Sequence, residues 1–194
     1  MASIRHKKDA VLDAARDCVL AVGVRRTTLT DVARRAGVSR MTIYRRWPDV
    51  RTLVADLMTR EWADVVSRVA PPEDGSPVRS GAVSALVAGV GALRAHPLFH
   101  KIMEVDPEVL LPYILQRRGT SQVAMLRAFE ATLRAGHRDG SVRHGHPARQ
   151  ARSVLLVLQS FAMSGHTMTD DDPALSAAAF DDELRQILER YLTP

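Results

Sequence analysis

The sequence predicts an all-α protein made of an N-terminal helix-turn-helix domain, residues 1–48, and a larger helical domain, residues 49–194. Apolar residues recur at helical spacing through most of the chain, and no segment shows the alternation of a strand. Two short helical stretches between residues 30 and 47 flank a turn that contains glycine, which is the pattern of a helix-turn-helix. With 194 residues, the chain is long enough for this motif and a second domain with its own core.

The first helix is expected over residues 7–22, because apolar residues recur on one face and Gly23 follows. That face contains Val11, Ala14, Ala15, Cys18, Val19 and Val22. Cys18 is the only cysteine, so an internal disulfide is excluded, and a buried structural thiol is a better interpretation than a redox sensor. Basic residues at the start of the chain form either an arm for nucleic acid or a solvated chain end. They are Arg5, His6, Lys7 and Lys8.

The next two helices are expected to be short. Thr30 is the expected N-cap of the first, with Asp31 in its first turn, where the helix dipole favours negative charge. Gly37 is expected to end that helix in a left-handed conformation. Ser39 is then the expected cap of the second helix, which Pro48 stops. The side chains that this second helix would expose are Arg40, Met41, Thr42, Tyr44, Arg45 and Arg46.

Positive charge is concentrated in the first third of the chain. Residues 1–60 contain 13 Lys or Arg and 6 Asp or Glu, a net charge of +7, whereas the remaining residues contain 14 and 16, a net charge of −2. Basic residues are common on solvated helices, but a basic region that coincides with a helix-turn-helix is typical of a DNA-binding surface. We therefore predict that this domain binds double-stranded DNA.

The second helix of the motif suggests how DNA would be contacted. Arg40 can donate two hydrogen bonds to guanine, while Met41 and the Thr42 methyl group suit a thymine methyl group. The other polar and basic side chains suit phosphates, and Arg46 can also complement the dipole at the helix C-terminus. The complete set of predicted DNA-contacting residues is Thr28, Ser39, Arg40, Met41, Thr42, Tyr44, Arg45, Arg46 and Arg51.

This segment resembles the DNA-binding segment of the tetracycline-repressor (TetR) family of bacterial transcriptional regulators. The matching stretches are Thr27-Thr28-Leu29, Asp31-Val32-Ala33, Ala36-Gly37-Val38-Ser39, Thr42-Ile43-Tyr44 and Trp47-Pro48, with Leu53 in the next helix. The resemblance implies that Thr28, Thr42 and Tyr44 contact the DNA backbone. Val50 stands where the family usually has a phosphate-binding lysine, and the adjacent Arg51 is the expected replacement.

The second domain is expected to contain a homodimer interface. After a helix at residues 50–69 and a linker at residues 71–77, apolar helical segments continue to the end of the chain. The segment 147–164 is apolar on all sides at its centre, so it needs cover from a second copy, unless both C-terminal helices pack within the monomer. Similar proteins dimerise through this region, and two-fold symmetry suits a palindromic operator. The predicted interface residues are Val154, Leu155, Leu158, Leu184, Ile187, Leu188 and Tyr191.

A small-molecule pocket is expected among the middle helices. In similar proteins, a ligand bound there spreads the DNA-binding heads and releases the operator, so the resemblance implies a repressor of this kind. A mainly apolar pocket would suit a lipophilic effector, although Met and aromatic residues are more often ordinary core. The candidate lining residues are Trp62, Phe99, Met103, Leu110, Tyr113, Met125, Phe129, Gln159 and Met163.

Other classes of protein have weaker support in the sequence. An enzyme is not expected, because the acid–base residues around His96 and Asp106 come without a nucleophile elbow or a phosphate-binding glycine loop. The histidines of the loop at residues 136–147 have no second ligand cluster, so neither a metal nor a cofactor is expected. No membrane helix or signal-peptide core is found, so we expect a cytoplasmic protein. The remaining alternative is a helix-turn-helix regulator controlled by a protein partner, with no small-molecule effector.

Overall fold

A computed structural model describes residues 2–69 and 76–194, with side chains from residue 7 onwards. Over these residues the protein contains ten α-helices and no strand, which confirms the predicted all-α class. The helices are α1 (Ala2–Val22), α2 (Leu29–Arg35), α3 (Arg40–Arg46), α4 (Val50–Arg68), α5 (Val78–Arg94), α6 (Pro97–Val105), α7 (Leu111–Leu115), α8 (Thr120–Arg138), α9 (Pro147–Ser164) and α10 (Ala177–Leu192). Most of the predicted linker, residues 71–75, lies outside the described residues, as do the side chains of Arg5 and His6.

The chain divides into two compact units. The first comprises Met1–Ala63 and Ala95–Ser121, and the second comprises Asp64–Arg94 and Gln122–Pro194. This division differs from the predicted boundary directly after the helix-turn-helix, because most of α4 and all of α6 group with the motif. The first unit is therefore assembled from two separate stretches of the sequence.

The first unit is organised around α1, which begins earlier than the apolar pattern indicates and buries most of the predicted face, although Val22 at its end is exposed. Val11, Ala15 and Val19 are buried, and both α2 and α6 pack against this helix. Gly23 follows α1 with a φ of 84°, a left-handed conformation that glycine adopts without a steric penalty. Cys18 is half-buried, and burial raises the pKa of its thiol, which disfavours the reactive thiolate.

The second unit has an apolar core to which α5, α8, α9 and α10 all contribute. Two ion pairs connect α5 to α10: Arg94 Nη2 lies 2.6 Å from Asp181 Oδ1, and Arg79 Nε lies 3.0 Å from Glu189 Oε2. Because these side chains are partly exposed, each ion pair alone contributes little to the free energy of unfolding. Burial of the apolar cluster is the main stabilising term of this unit.

Three of the predicted interface residues are buried within the chain itself. Val154, Leu184 and Leu188 belong to the core of the second unit and are almost fully inaccessible. The physical reason is that α9 and α10 both pack against α5, and these side chains supply that packing. The prediction that these three side chains contact a second copy is therefore corrected, since a side chain buried in its own chain offers no surface to a partner.

The remaining predicted interface residues keep some accessible surface. Ile187 is exposed on α10, and Leu155, Leu158 and Tyr191 are half-buried against the core cluster. The most exposed large apolar side chain of these two helices is that of Leu156, which is 69% exposed and which the sequence pattern did not distinguish from its neighbours. The surface available to a partner therefore lies on the outer sides of α9 and α10.

Membrane-spanning potential is weak among the described residues. No single helix there combines the length and hydropathy needed to cross a bilayer, and only α5 and α6 taken together, as a bent pair, meet those criteria.

Candidate nucleic-acid interface

The N-terminus of α2 is capped by Thr28, which corrects the expectation that Thr30 has this role. The Thr28 hydroxyl oxygen accepts a hydrogen bond from the Asp31 backbone N–H at 3.1 Å and donates one to Asp31 Oδ2 at 2.5 Å. The helix starts earlier than expected because Leu29 is buried and belongs to its first turn. Thr28 is exposed, so this cap remains accessible to a phosphate.

The recognition helix α3 begins at the predicted cap, Ser39. The Ser39 hydroxyl oxygen accepts a hydrogen bond from the Thr42 backbone N–H at 3.2 Å, and the two side-chain hydroxyls lie 2.9 Å apart. Ile43 is fully buried, whereas Met41 is 77% exposed and Tyr44 is 50% exposed. The helix therefore has one side in the core of the first unit and one side open to solvent.

Trp47 anchors the C-terminal end of α3. Its indole is only 2% exposed, and its Nε1 donates a hydrogen bond to Asp56 Oδ2 on α4 at 3.1 Å. Lys8 Nζ of α1 lies 3.6 Å from the same carboxylate oxygen, and the Arg46 guanidinium stacks over the Trp47 ring at 5.2 Å. The recognition helix is thus fixed to the two longer helices of its unit.

The start of α4 contains the position that departs from the similar family. Asp49 Oδ1 accepts a hydrogen bond from the Thr52 backbone N–H at 2.7 Å, and this bond lowers the pKa of the Asp49 carboxyl. The carboxylate is therefore charged at neutral pH and caps the helix. Val50 is half-buried and Arg51 is exposed, so Arg51 is the side chain available to a phosphate here.

The predicted DNA-contacting residues lie at three neighbouring places in the chain: the cap of α2, the whole of α3 and the first turn of α4. All of them are exposed apart from Thr42, which is half-buried. Four carry a positive charge, as a phosphate-binding surface requires. Their contacts with DNA remain predictions.

A buried ionic cluster joins α1, α4 and the start of α6 in the same unit. The Glu61 carboxylate, which is 7% exposed, lies 3.2 Å from Arg16 Nε, 2.8 Å from Arg60 Nη2 and 3.3 Å from His96 Nε2. Arg60 Nη1 also lies 2.8 Å from Asp13 Oδ1. A buried carboxylate is tolerated only with such partners. Sequence reasoning missed this cluster, because its members are separated in the chain and no motif unites them.

The candidate ligand-lining residues are divided between the two units. In the first unit, the Trp62 ring meets Phe99 edge to face with 5.9 Å between centroids, and Phe99 and Leu110 are buried. Met103 and Tyr113 are half-buried there. In the second unit the candidates are all half-buried, and two of them pack against its core. The second-unit candidates are Met125, Phe129, Gln159 and Met163.

The histidines of the loop after α8 have ordinary polar contacts. His137 Nε2 lies 3.0 Å from Gln150 Oε1, and the Gln150 side-chain amide donates a hydrogen bond to the Arg143 carbonyl oxygen. The ring of His144 lies 5.8 Å from that of His137. Among the described residues, no group of three or more His, Cys, Asp or Glu side chains is placed to hold a metal ion.

Replacing Arg40 with alanine is expected to relax base specificity at one position of the bound sequence. A bidentate arginine–guanine contact contributes about 1–3 kcal/mol of discrimination. Tyr44→Phe is the matched comparison, because loss of a phosphate contact should weaken binding to all sequences alike. Selection from random duplex DNA with each variant measures both effects. An unchanged sequence preference for Arg40→Ala would contradict its role in base reading.

Comparison with known proteins identifies the family. Residues 11–57 match the family model described as bacterial regulatory proteins, tetR family. The chain is also 42% identical over 182 residues to an uncharacterized HTH-type transcriptional regulator of Mycobacterium tuberculosis, and the alignment covers 94% of this chain and 92% of that protein.

Solved structures share the fold at low sequence identity. The transcriptional repressor QsdR of Rhodococcus erythropolis, from the TetR family, has a TM-score of 0.70 at 12% identity, over 98% of this chain and 97% of that one. A SmeT–triclosan complex has a TM-score of 0.64 at 20% identity, over 97% and 92% of the two chains. Together with the near full-length sequence match, the helix-turn-helix geometry shows that this chain belongs to the TetR family of DNA-binding transcriptional regulators, which are not enzymes.

Proposed function

We propose that this regulator is a homodimeric repressor that binds a palindromic operator and is released from it by a small, largely apolar ligand. The observation that carries the proposal is the exposed basic surface of α3, held by the Ser39 cap at one end and the buried Trp47 at the other. A rigid helix with Arg40, Arg45 and Arg46 exposed fits the major groove and its phosphates.

Selection of bound sequences from random duplex DNA tests the operator part of the proposal. We expect an enriched palindrome whose half-sites lie about one helical turn apart. Affinity for that sequence should fall steeply with salt, because several phosphates are neutralised. Absence of any enriched sequence, with weak binding at every salt concentration, would contradict operator recognition.

The outer surface of α9 supports self-association. Leu156 is exposed at the centre of this helix, and Ile187 is exposed on α10, so covering them would remove apolar surface from water. An open groove of about 400 Å³ lies beside Leu156 at the N-terminal end of α9. The groove is lined by His146, Ala148, Arg149, Arg152, Ser153 and Leu156.

Charge along α9 favours a two-fold arrangement of two copies. Arg149 and Arg152 are exposed in its first turns, and Asp170, Asp171 and Asp172 are exposed shortly after its end. If two α9 helices pair in antiparallel orientation, the basic end of each meets the acidic segment of the other. A parallel pairing would place like charges together at both ends.

Two observations support a ligand-released mechanism. Half-buried methionine and aromatic side chains occur in both units, and such side chains adapt to apolar ligands. The structurally similar SmeT has been solved as a complex with triclosan. A ligand that binds the released conformation about tenfold to 100-fold more tightly would supply roughly 1.4–3 kcal/mol of coupling, which is enough for regulation.

A lipophilic ligand is expected to raise the thermal unfolding temperature of the protein and to weaken its binding to the selected operator. Ligand that binds only folded protein stabilises it by about 2.7 kcal/mol at 100 times its Kd. Thermal shift against a broad library of lipophilic compounds, followed by operator titration with each hit, measures both effects. If no compound shifts unfolding, the ligand part of the proposal is contradicted while operator binding stands.

Control by a protein partner is the second candidate. The exposed leucines and isoleucine of α7 favour it, because a short helix with accessible apolar side chains is typical of a protein contact. These residues are Leu111, Ile114 and Leu115. The thermal-shift result decides between the two modes of control, since this mode predicts no stabilising small molecule.

A further inference from the structure

The turn between α1 and α2 is held by an aspartate that lies far away in the sequence. Asp106 Oδ2 accepts a hydrogen bond from the Val24 backbone N–H at 2.6 Å. Asp106 is 2% exposed and Val24 is buried, so this is a buried bond between a carboxylate and a main-chain amide. Charge-assisted bonds of this kind are about twice as strong as neutral ones. Neither partner belongs to the set of predicted DNA-contacting residues.

Gly23 makes this close approach possible. A Cβ atom on Gly23 would lie 2.6 Å from Asp106 Oδ2, which is closer than carbon and oxygen atoms can come without displacement. The positive φ of Gly23 turns the chain so that the next amide points at the carboxylate. Thr27 completes the turn, because its hydroxyl donates a hydrogen bond to the Gly23 carbonyl oxygen at 2.7 Å.

The other side of the contact is also fixed by local sequence. Pro107 disfavours a helical conformation for the residue before it, so α6 ends at Val105 and Asp106 follows with φ −138° and ψ 50°. The Asp106 backbone N–H still donates to the Ile102 carbonyl oxygen at 2.9 Å, which ties it to the last turn of α6. Ile102 is buried, so the carboxylate projects from a rigid base.

The turn held in this way leads directly into the first DNA-facing residue. Thr28 caps α2 only four residues after Val24, and Thr27 between them is buried and hydrogen-bonded. A second, exposed contact connects the same two segments, since Arg25 Nη1 lies 3.4 Å from Glu108 Oε1. That ion pair is largely solvated and contributes little to the stability of the turn. Of these two contacts, the buried Asp106 bond is therefore the one that holds the turn leading into α2.

We propose that Asp106 is a positioning residue for operator binding: its bond to the Val24 amide sets the α1–α2 turn and so aligns Thr28 with a DNA phosphate. Asp106 itself does not touch DNA. Without the acceptor, the Val24 N–H would be buried without a partner, and the turn would rearrange to reach water. The proposal rests on the proposed phosphate contact of Thr28.

The test is a double-mutant cycle on operator affinity, using DNA selected with the wild-type protein. Asp106→Ala is expected to weaken binding about tenfold, as the loss of a buried hydrogen-bond partner implies. In a Thr28→Val background, the same substitution should cost no more than about twofold, because the contact it aligns is already gone. In an Arg40→Ala background the cost should remain about tenfold, since base reading by α3 is independent of the turn.

Asp139→Ala in the second unit is the control for loss of a carboxylate that accepts hydrogen bonds from the main chain, here at an exposed site. The Asp139 carboxylate also accepts hydrogen bonds from two backbone amides, those of Val78 and Ser141, at 3.1 and 2.8 Å. Its loss should lower thermal stability and leave operator affinity unchanged. If Asp139→Ala weakened operator binding as much as Asp106→Ala does, a general effect of stability would replace the positioning role.

Two results would overturn the proposal. The first is a folded Asp106→Ala protein that binds the operator as tightly as the wild type. The second is a tenfold loss of operator affinity on Asp106→Ala that is equally large in the Thr28→Val and Arg40→Ala backgrounds. If Asp106→Ala does not fold, operator affinity of the Asp106→Asn variant tests the proposal instead. Its amide oxygen accepts a weaker bond, so about threefold weaker binding that disappears with Thr28→Val supports the proposal, and unchanged binding refutes it. Failure of the wild-type protein to select any operator would instead refute the proposed function.

Discussion

Replacing Leu156 with aspartate is expected to convert the proposed dimer to monomers and to lower operator affinity by about 100-fold or more. Leu156 is 69% exposed on α9, and a leucine that becomes covered contributes about 1.5–3 kcal/mol. In the proposed dimer, two-fold symmetry would place this residue in the interface twice, so one substitution would remove two contacts and introduce two charges. Each half-site would then be bound separately, without the high local concentration that a dimer provides.

Leu115→Asp is the matched control for this experiment. Leu115 is 73% exposed, but it lies on α7 in the first unit, whereas the proposed interface belongs to the second unit. Sedimentation of both variants, with operator titration at matched salt, should give a monomer with weak binding for Leu156→Asp and a wild-type result for Leu115→Asp. A Leu156→Asp protein that sediments as a dimer would exclude this surface from the interface.

Replacing Trp47 with alanine is expected to destabilise the first unit by about 3–5 kcal/mol, a large part of the stability of a typical domain. The indole is almost fully buried, so its loss leaves a cavity beneath the recognition helix. The substitution also removes the Nε1 donor from Asp56. We expect a marked fall in unfolding temperature and loss of operator binding together.

Tyr44→Ala provides the comparison, because Tyr44 lies one turn earlier on the same helix and is half exposed. Exposed substitutions usually change stability by no more than about 0.5 kcal/mol. Tyr44→Ala should therefore weaken DNA binding and leave the unfolding temperature near that of the wild type. Calorimetry and operator titration of both variants separate the two roles. Equal losses of stability would contradict the assignment of Trp47 as the anchor and Tyr44 as a contact.

Local sequence signals predicted the recognition helix well. Ser39 caps α3 as expected, because a serine before a helical stretch accepts a bond from the backbone amide three residues later. The cap of α2 was misplaced by two residues. Thr28 and Thr30 both satisfy the chemical preference of an N-cap, and the choice depends on the burial of Leu29, which is a tertiary property.

Long-range contacts could not be predicted from the sequence pattern. Asp106 and Glu61 acquire their roles from residues on other helices, and nothing near either one in the sequence signals a buried carboxylate. Helical periodicity was also not enough to predict which apolar side chains of α9 are buried. It indicated that α9 is apolar on several sides, but it could not show that Val154 is covered by the chain's own core while Leu156 is left at the surface.

The two-stretch construction of the first unit has a practical consequence for engineered regulators. A chimera that grafts only residues 1–48 onto a foreign sensor would carry the recognition helix but leave behind Asp106 and the packing of α6 on α1. The graft would depend on the host to supply an acceptor for the Val24 amide. Exchange of specificity between such regulators is better done by transplanting the solvent-facing side chains of α3, so that the recipient keeps its own scaffold.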